Sequence, residues 1–147
     1  MSVFEVLLIE DDPDHASLIS DMLQDDSPDM RVTHQDNGRD GLAFLERCHA
    51  NGQLPDLILL DLNMPGPNGL EILRTLKADQ RFVHVPVVLM TTSSSPVDVE
   101  AGMAAHANSY VCKAFDLNDF EGTIATLRQY WRSVHFPANR SERANEA

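Results

Sequence analysis

Groups able to do chemistry in this sequence collect where its apolar runs stop. Val3 to Ile9 runs into Glu10, Asp11 and Asp12, and the run from Asp56 to Leu60 ends at Asp61. Val85 to Met90 gives way to Thr91, Thr92 and Ser93, and Ser109 to Cys112 ends at Lys113. Brought to one place, these side chains would form a crevice of carboxylates, hydroxyls and one ammonium. Carboxylates gathered so closely repel one another unless a cation joins them. All-oxygen ligands select a hard ion, and magnesium suits an open carboxylate site better than zinc does. Lys113 would be the remaining positive group, able to neutralise a bound phosphoryl oxygen as a point charge. One acid at a strand end is ordinary, because exposed acids are the norm. The agreement of four ends is what argues for a site, although position alone does not separate phosphorylation from simple magnesium binding.

The elements that must position these groups follow from periodicity. The run before Glu10 reads as a buried strand, and Asp56 to Asp61, apolar on both faces, as the centre of a parallel sheet. Met30 to His34 is a weaker strand, Val85 to Met90 a fourth with Pro86 near its start, and Ser109 to Cys112 a short fifth. Helical spacing of Ala16, Leu18, Ile19, Met22 and Leu23 places a helix from Asp14 to about Leu23. Leu42, Phe44 and Leu45 mark a second helix to about His49, and Leu70, Leu73 and Leu76 a third. Ser95-Pro96 reads as a cap with proline at the first helical position of a fourth, running to about His106. Asp116 is expected to cap a last helix reaching about Val134. Five strands alternating with five helices imply a doubly wound α/β fold: a five-stranded parallel sheet with helices on both faces. In such a fold ligands collect at the carboxyl ends of the strands, where all the groups above lie.

Composition narrows the functional classes. The 147 residues fit one domain, expected over residues 1–136, with 137–147 as a disordered tail. No run approaches the roughly 20 apolar residues of a membrane span, and the N-terminus carries no signal-peptide pattern, so a cytoplasmic protein is expected. A formal charge of −12 disfavours nucleic acid and anionic membranes. Cys48 and Cys112 form no C-x-x-C pair, and the six histidines show no zinc-ligand spacing, so all read as unspecialised. Cys112 is expected as a buried, inert thiol, and Met64, Met90 and Met103 as packing.

Taken in order, Glu10-Asp11, the run Leu59-Leu60-Asp61-Leu62-Asn63-Met64-Pro65 with Asn68-Gly69 behind it, Thr92, Tyr110 and Lys113 resemble the receiver domain of bacterial response regulators, a flavodoxin-like fold, over about residues 4–134. The resemblance implies that Asp61 is the nucleophile toward the phosphohistidine of a sensor histidine kinase. It implies that Asp11, Asp61 and the backbone carbonyl of Asn63 hold magnesium, with Glu10 acting directly or through water. Thr92 would bond the phosphoryl group, Lys113 would pair with Asp61 before transfer and with the phosphoryl oxygens after it, and Tyr110 would swing inward when Thr92 moves. The product, carrying about −1.5 to −2 charge, could then bias a two-state element. One departure stands out: the family usually has proline after the lysine, often through a cis bond, and here the residue is Ala114. A non-proline cis bond costs roughly 2.5–4 kcal/mol, so the placement of Lys113 is open. The ending Tyr130-Trp131-Arg132-Ser133-Val134-His135-Phe136-Pro137 is similar to stand-alone regulators paired with bacterial phytochrome kinases.

Two rival readings carry distinct expectations. A haloacid-dehalogenase-type enzyme also phosphorylates an aspartate, but it would want an aspartate where Asn63 stands and a nucleophile after the first strand. No phosphomonoester turnover is therefore expected. A receiver-like module that only dimerises is disfavoured by the presence of Asp11, Asp61, Thr92 and Lys113. With no helix-turn-helix segment or second domain in the sequence, output is expected through a protein partner or a change of oligomer. Leu117, Phe120, Ile124, Leu127, Trp131 and Val134 stripe the last helix. At about 28 Å it would outrun a strand of ~17 Å, so Trp131, Val134 and Phe136 are expected to overhang. A homodimer is expected through the face of the fourth helix, fifth strand and last helix with its C-terminal extension, Trp131 near its anchor.

Overall fold

The computed structural model describes residues 3–25, 29–92, 95–113 and 117–133. The strands are β1 (Phe4–Ile9), β2 (Met30–Gln35), β3 (Leu57–Asp61), β4 (Val87–Thr91) and β5 (Ser109–Cys112). The helices are α1 (Pro13–Gln24), α2 (Gly38–Ala50), α3 (Gly69–Lys77), α4 (Pro96–Ala104) and α5 (Leu117–Ser133). All four strand pairings are parallel, in the order β2-β1-β3-β4-β5. The doubly wound five-stranded sheet expected from the alternation is thus observed. The order reverses between β1 and β3, which opens a crevice at their carboxyl ends.

Two-sided burial explains the apolar strands. Val6, Leu8, Leu57, Leu59, Val88 and Met90 share one face with Ala16, Ile19 and Leu23 of α1 and Phe120, Ile124 and Trp131 of α5. Leu7, Ile9, Ile58, Leu60, Val87 and Leu89 share the other with Leu45 of α2 and Ile72, Leu73 and Leu76 of α3. The inner strands β3 and β4, buried at every position, therefore have no solvent side to mark with polar residues. Helix starts are set locally: Asp12, Asn37 and Asn68 each cap with a side-chain oxygen, and Asn68 and Glu71 complete a reciprocal capping box. Ser95 and Pro96 hold the cap and first-turn places of α4, as their order suggests.

Helix α5 corrects the expectation for its far end. Trp131 is only 8% exposed and belongs to the core beneath α1, not to an overhang. The reason is that α5 packs along α1 as well as on the sheet. Near its end Arg128 Nη1 donates to the carbonyls of Met22 (2.8 Å) and Asp25 (3.0 Å), tying α5 to the last turn of α1. A helix with a neighbouring helix to lie against is not limited to the length of a strand. Val134, Phe136, the cap expected at Asp116, the Lys113–Ala114 bond and the expected tail lie outside the described residues. Two smaller expectations also change. Cys112 is exposed, because β5 is the edge strand, and Met103 is 48% exposed on α4. Met64 and Met90 are buried as expected.

Candidate functional site

The strand ends do converge. Glu10, Asp61 and Lys113 are buried, and Glu10, Asp11, Asp12, His15, Asp61, Asn63, Thr92 and Lys113 line one open crevice. Single backbone bonds prolong the sheet past its strands and set these groups level: Glu10 N–H to Gln35 O, Leu62 N–H to Met90 O and Lys113 N–H to Thr91 O (2.6 Å). Ligand atoms of Glu10, Asp11 and Asp61 all lie within 4.8 Å of one another. Asp11 is exposed at the mouth while the other two are not. Lys113 Nζ donates to Glu10 Oε1 and stands 3.6 Å from Asp61 Oδ2.

The loop after β3 is drawn tight around Asp61. Asn63 N–H donates to Asp61 Oδ1 (3.1 Å), and the Asn63 side-chain amide donates to Thr91 Oγ1 (2.7 Å). Gly69 N–H then returns to Leu62 O (3.0 Å). A Cβ on Gly69 would lie 2.3 Å from Asp61 O, so only glycine lets α3 start this close to the end of β3.

Burial pushes the Asp61 carboxyl up from 3.8 to about 7, helped by a hydrogen bond and charge repulsion from Glu10 and opposed by Lys113 and the Asn63 amide. Burial acts on Glu10 in the same direction, but its bonds to Asp61 and Lys113, the Lys113 charge and the Asp12 amide overcome it and hold Glu10 below its ordinary range. Without a cation the pair therefore keeps a proton near neutrality. That is the behaviour of a site short of positive charge, and three carboxylates so close fit a hard divalent ion.

Of the residues singled out from the sequence, Glu10, Asp11, Asp12, Asp61, Asn63, Thr92 and Lys113 border this crevice, whereas Thr91 and Tyr110 do not and Ser93 lies outside the described residues. Tyr110 sits half-buried on β5 beside Leu89 and packs near Gly102 of α4. The two threonines divide: Thr91 is buried against Asn63, and Thr92 is exposed at the rim. His15, read from sequence as unspecialised, also belongs to the site. Its Nδ1 is 3.2 Å from Lys113 Nζ, and its Nε2 is 3.8 Å from Asp12 Oδ2. The signal for it was positional: a residue in the first turn of a helix that begins directly after the acidic pair.

This fold and this crevice are those of a two-component signalling module, and residues 6–125 match the response regulator receiver domain. The chain belongs to that family. Among its relatives, response regulator Rcp1 of Synechocystis is 32% identical over 136 residues, covering 90% of this chain and 92% of that one. The probable methanogenesis regulatory protein FilR2 of Methanothrix harundinacea is 35% identical, covering 87% and 83%. The phosphorylated cyanobacterial phytochrome response regulator RcpA superposes with a TM-score of 0.87 at 29% identity, over 93% of this chain and 100% of that one. The Mn(2+)-bound form of Rcp1 superposes with a TM-score of 0.83 at 32% identity, over 91% and 99%. Receiver domains of this family act as phosphoacceptor switches for histidine kinases and bind a divalent cation at an acidic pocket. Among the described residues no helix is long and apolar enough to cross a membrane.

Proposed function

We propose that Asp61 is the phosphoacceptor and that this chain carries a signal from a sensor histidine kinase by changing its conformation or its binding partner. The observation that carries this reading is the position of Asp61. It ends the central strand beside Glu10 and Asp11, within 3.6 Å of the Lys113 ammonium. Glu10, Asp11, Asp61 and the Asn63 carbonyl would hold magnesium, which neutralises charge on the acceptor and on the phosphoryl group. The residues themselves orient the rest. The Asn63 amide fixes one oxygen of Asp61, leaving Oδ2 on the Lys113 side to attack in line. Lys113 and the Thr92 hydroxyl stabilise the transferred oxygens, since such a transfer needs chiefly positioning and charge neutralisation. The reaction is the chain's own phosphorylation and dephosphorylation, with no turnover of phosphomonoesters. Magnesium-dependent labelling by acetyl phosphate or phosphoramidate tests the assignment. It should vanish with chelator and in Asp61→Asn, which removes the nucleophilic oxygen while nearly keeping its shape. Base-labile phosphate persisting on that variant would refute it.

The likeness to RcpA, a phytochrome response regulator, supports a phytochrome-type kinase as the donor, which we place with this chain in the cytoplasm, and phosphotransfer profiling against candidate kinases tests that. A homodimer through the α4-β5-α5 side remains our reading of the output, with a changed anchor. Trp131 is committed to its own core, whereas Val97 and Met103 on α4 and Tyr130 on α5 are large, apolar and exposed. The acidic balance argues against nucleic acid and anionic membranes as partners.

A further inference from the structure

We propose that His15 is a positioning residue for Lys113: it occupies one of the three ammonium protons, so that with Glu10 taking another, the third is left for the oxygen arriving at Asp61. This rests on the reading of Asp61 as acceptor. The charged lysine can only donate, so the contact at 3.2 Å makes His15 Nδ1 the acceptor and leaves the ring proton on Nε2. Asp12 favours that tautomer. One of its oxygens caps α1, accepting from the amides of Asp14 (2.9 Å) and His15 (3.2 Å), and the other faces His15 Nε2 at 3.8 Å. The same carboxylate therefore starts the helix that carries His15 and orients its ring.

The geometry leaves the third proton little choice. Nζ is bonded to Glu10 on the β1 side and to His15 on the α1 side. Among the described residues the next acceptor around it is Asp61 Oδ2 at 3.6 Å, too far for a good hydrogen bond but on the side where a phosphoryl oxygen would come within reach. An ammonium on a four-carbon stem otherwise spreads over many orientations, and one held before the reaction needs no rearrangement during it. His15 itself touches neither Asp61 nor the carboxylates proposed for magnesium, so it acts only through Lys113.

The test uses the whole chain and two readouts. In magnesium-free protein, the ring nitrogens of His15 should give the NMR pattern of a neutral Nε2–H tautomer, and the Lys113 ammonium nitrogen should give a protected signal. That protected signal should be lost in His15→Ala and kept in His15→Asn, whose side-chain oxygen can take the place of Nδ1. With magnesium and phosphoramidate, labelling of His15→Ala should slow about three- to tenfold, the scale of one lost hydrogen bond in a transition state, and His15→Asn should recover most of it. Magnesium affinity should match wild type in both variants. An Nδ1–H tautomer, a Lys113 signal indifferent to His15, or equal labelling rates would each overturn the proposal. If wild type takes no label at all, the acceptor reading fails instead. In that case the ammonium signal still decides whether His15 holds Lys113, and its loss in His15→Ala would support the tether alone.

Discussion

At the scale of single residues, Asp61 makes a pH prediction whose sign is fixed by the direction of its shift. Its carboxyl is raised from 3.8 to about 7 by burial and by Glu10, so the folded chain binds this proton more tightly than the unfolded one does. Stability tied to it is fully present below about pH 4 and is lost as pH rises through about 7. Asp61→Asn cannot ionise, so in magnesium-free buffer its melting temperature should match wild type near pH 4 and exceed it increasingly toward pH 7.5. Added magnesium should narrow the gap by stabilising wild type alone. A gap independent of pH would show that shape, not charge, separates the two. Thr92 supports a second expectation: Thr92→Ala should still accept the phosphoryl group but move Tyr110 less when beryllofluoride is added, as read by NMR of the tyrosine ring. Only contacts that differ between two states can shift their balance. A full Tyr110 response in the variant would remove Thr92 from the switch. The meeting of Asp61, its acidic neighbours and Lys113 in one crevice was legible because strand ends in a parallel sheet must meet at one edge. His15 was not, because a histidine near the start of a helix has no spacing that announces which way its ring will turn.

At the scale of elements, two helices end on the same Schellman pattern with different residues. Helix α2 closes with Gly52 at φ 71°, its N–H bonded to His49 O, and α4 closes with His106 at φ 70°, its N–H bonded to Met103 O. Glycine adopts that backbone freely, whereas a side chain costs about 1–2 kcal/mol there, partly offset by glycine's looser unfolded chain. His106→Gly should therefore stabilise the domain by roughly 0.5–1 kcal/mol and raise its melting temperature by a few degrees. A lower melting temperature would mean that the His106 side chain contributes something the backbone argument omits. Gly69→Ala should do the reverse. The added carbon meets the backbone of Asp61 and Leu62, costing about 1–3 kcal/mol and slowing labelling as the acceptor loop shifts. The strands and helix starts could be read directly: β3 from its unbroken apolar run, and the caps from Asp12, Asn37 and Asn68. The fate of Trp131 could not. Its spacing shows that it shares a stripe with Phe120, Ile124 and Leu127, but not that α1 lies alongside to cover the end of the stripe.

At the scale of the whole molecule, the exposed apolar side chains on α4 and α5 give the dimer proposal a test independent of phosphate chemistry. Wild type should sediment as a dimer at high micromolar concentration, and Met103→Ser with Tyr130→Ser should shift it toward monomer without lowering the melting temperature, because neither side chain is buried. Wild type that stays monomeric with and without beryllofluoride would defeat the proposal. The same layout has a consequence for how the chain is made. Arg128 of α5 closes off the last carbonyls of α1, and Phe120, Ile124 and Trp131 fill the sheet face that α1 covers only in part. Domains tend to fold as units as they leave the ribosome, from the amino end onward. Here the helix synthesised first is finished by an arginine more than a hundred residues later. A nascent chain stopped before α5 would therefore hold a sheet with one greasy side still open to water, and the translating ribosome must deliver nearly the whole sequence before any of it can settle.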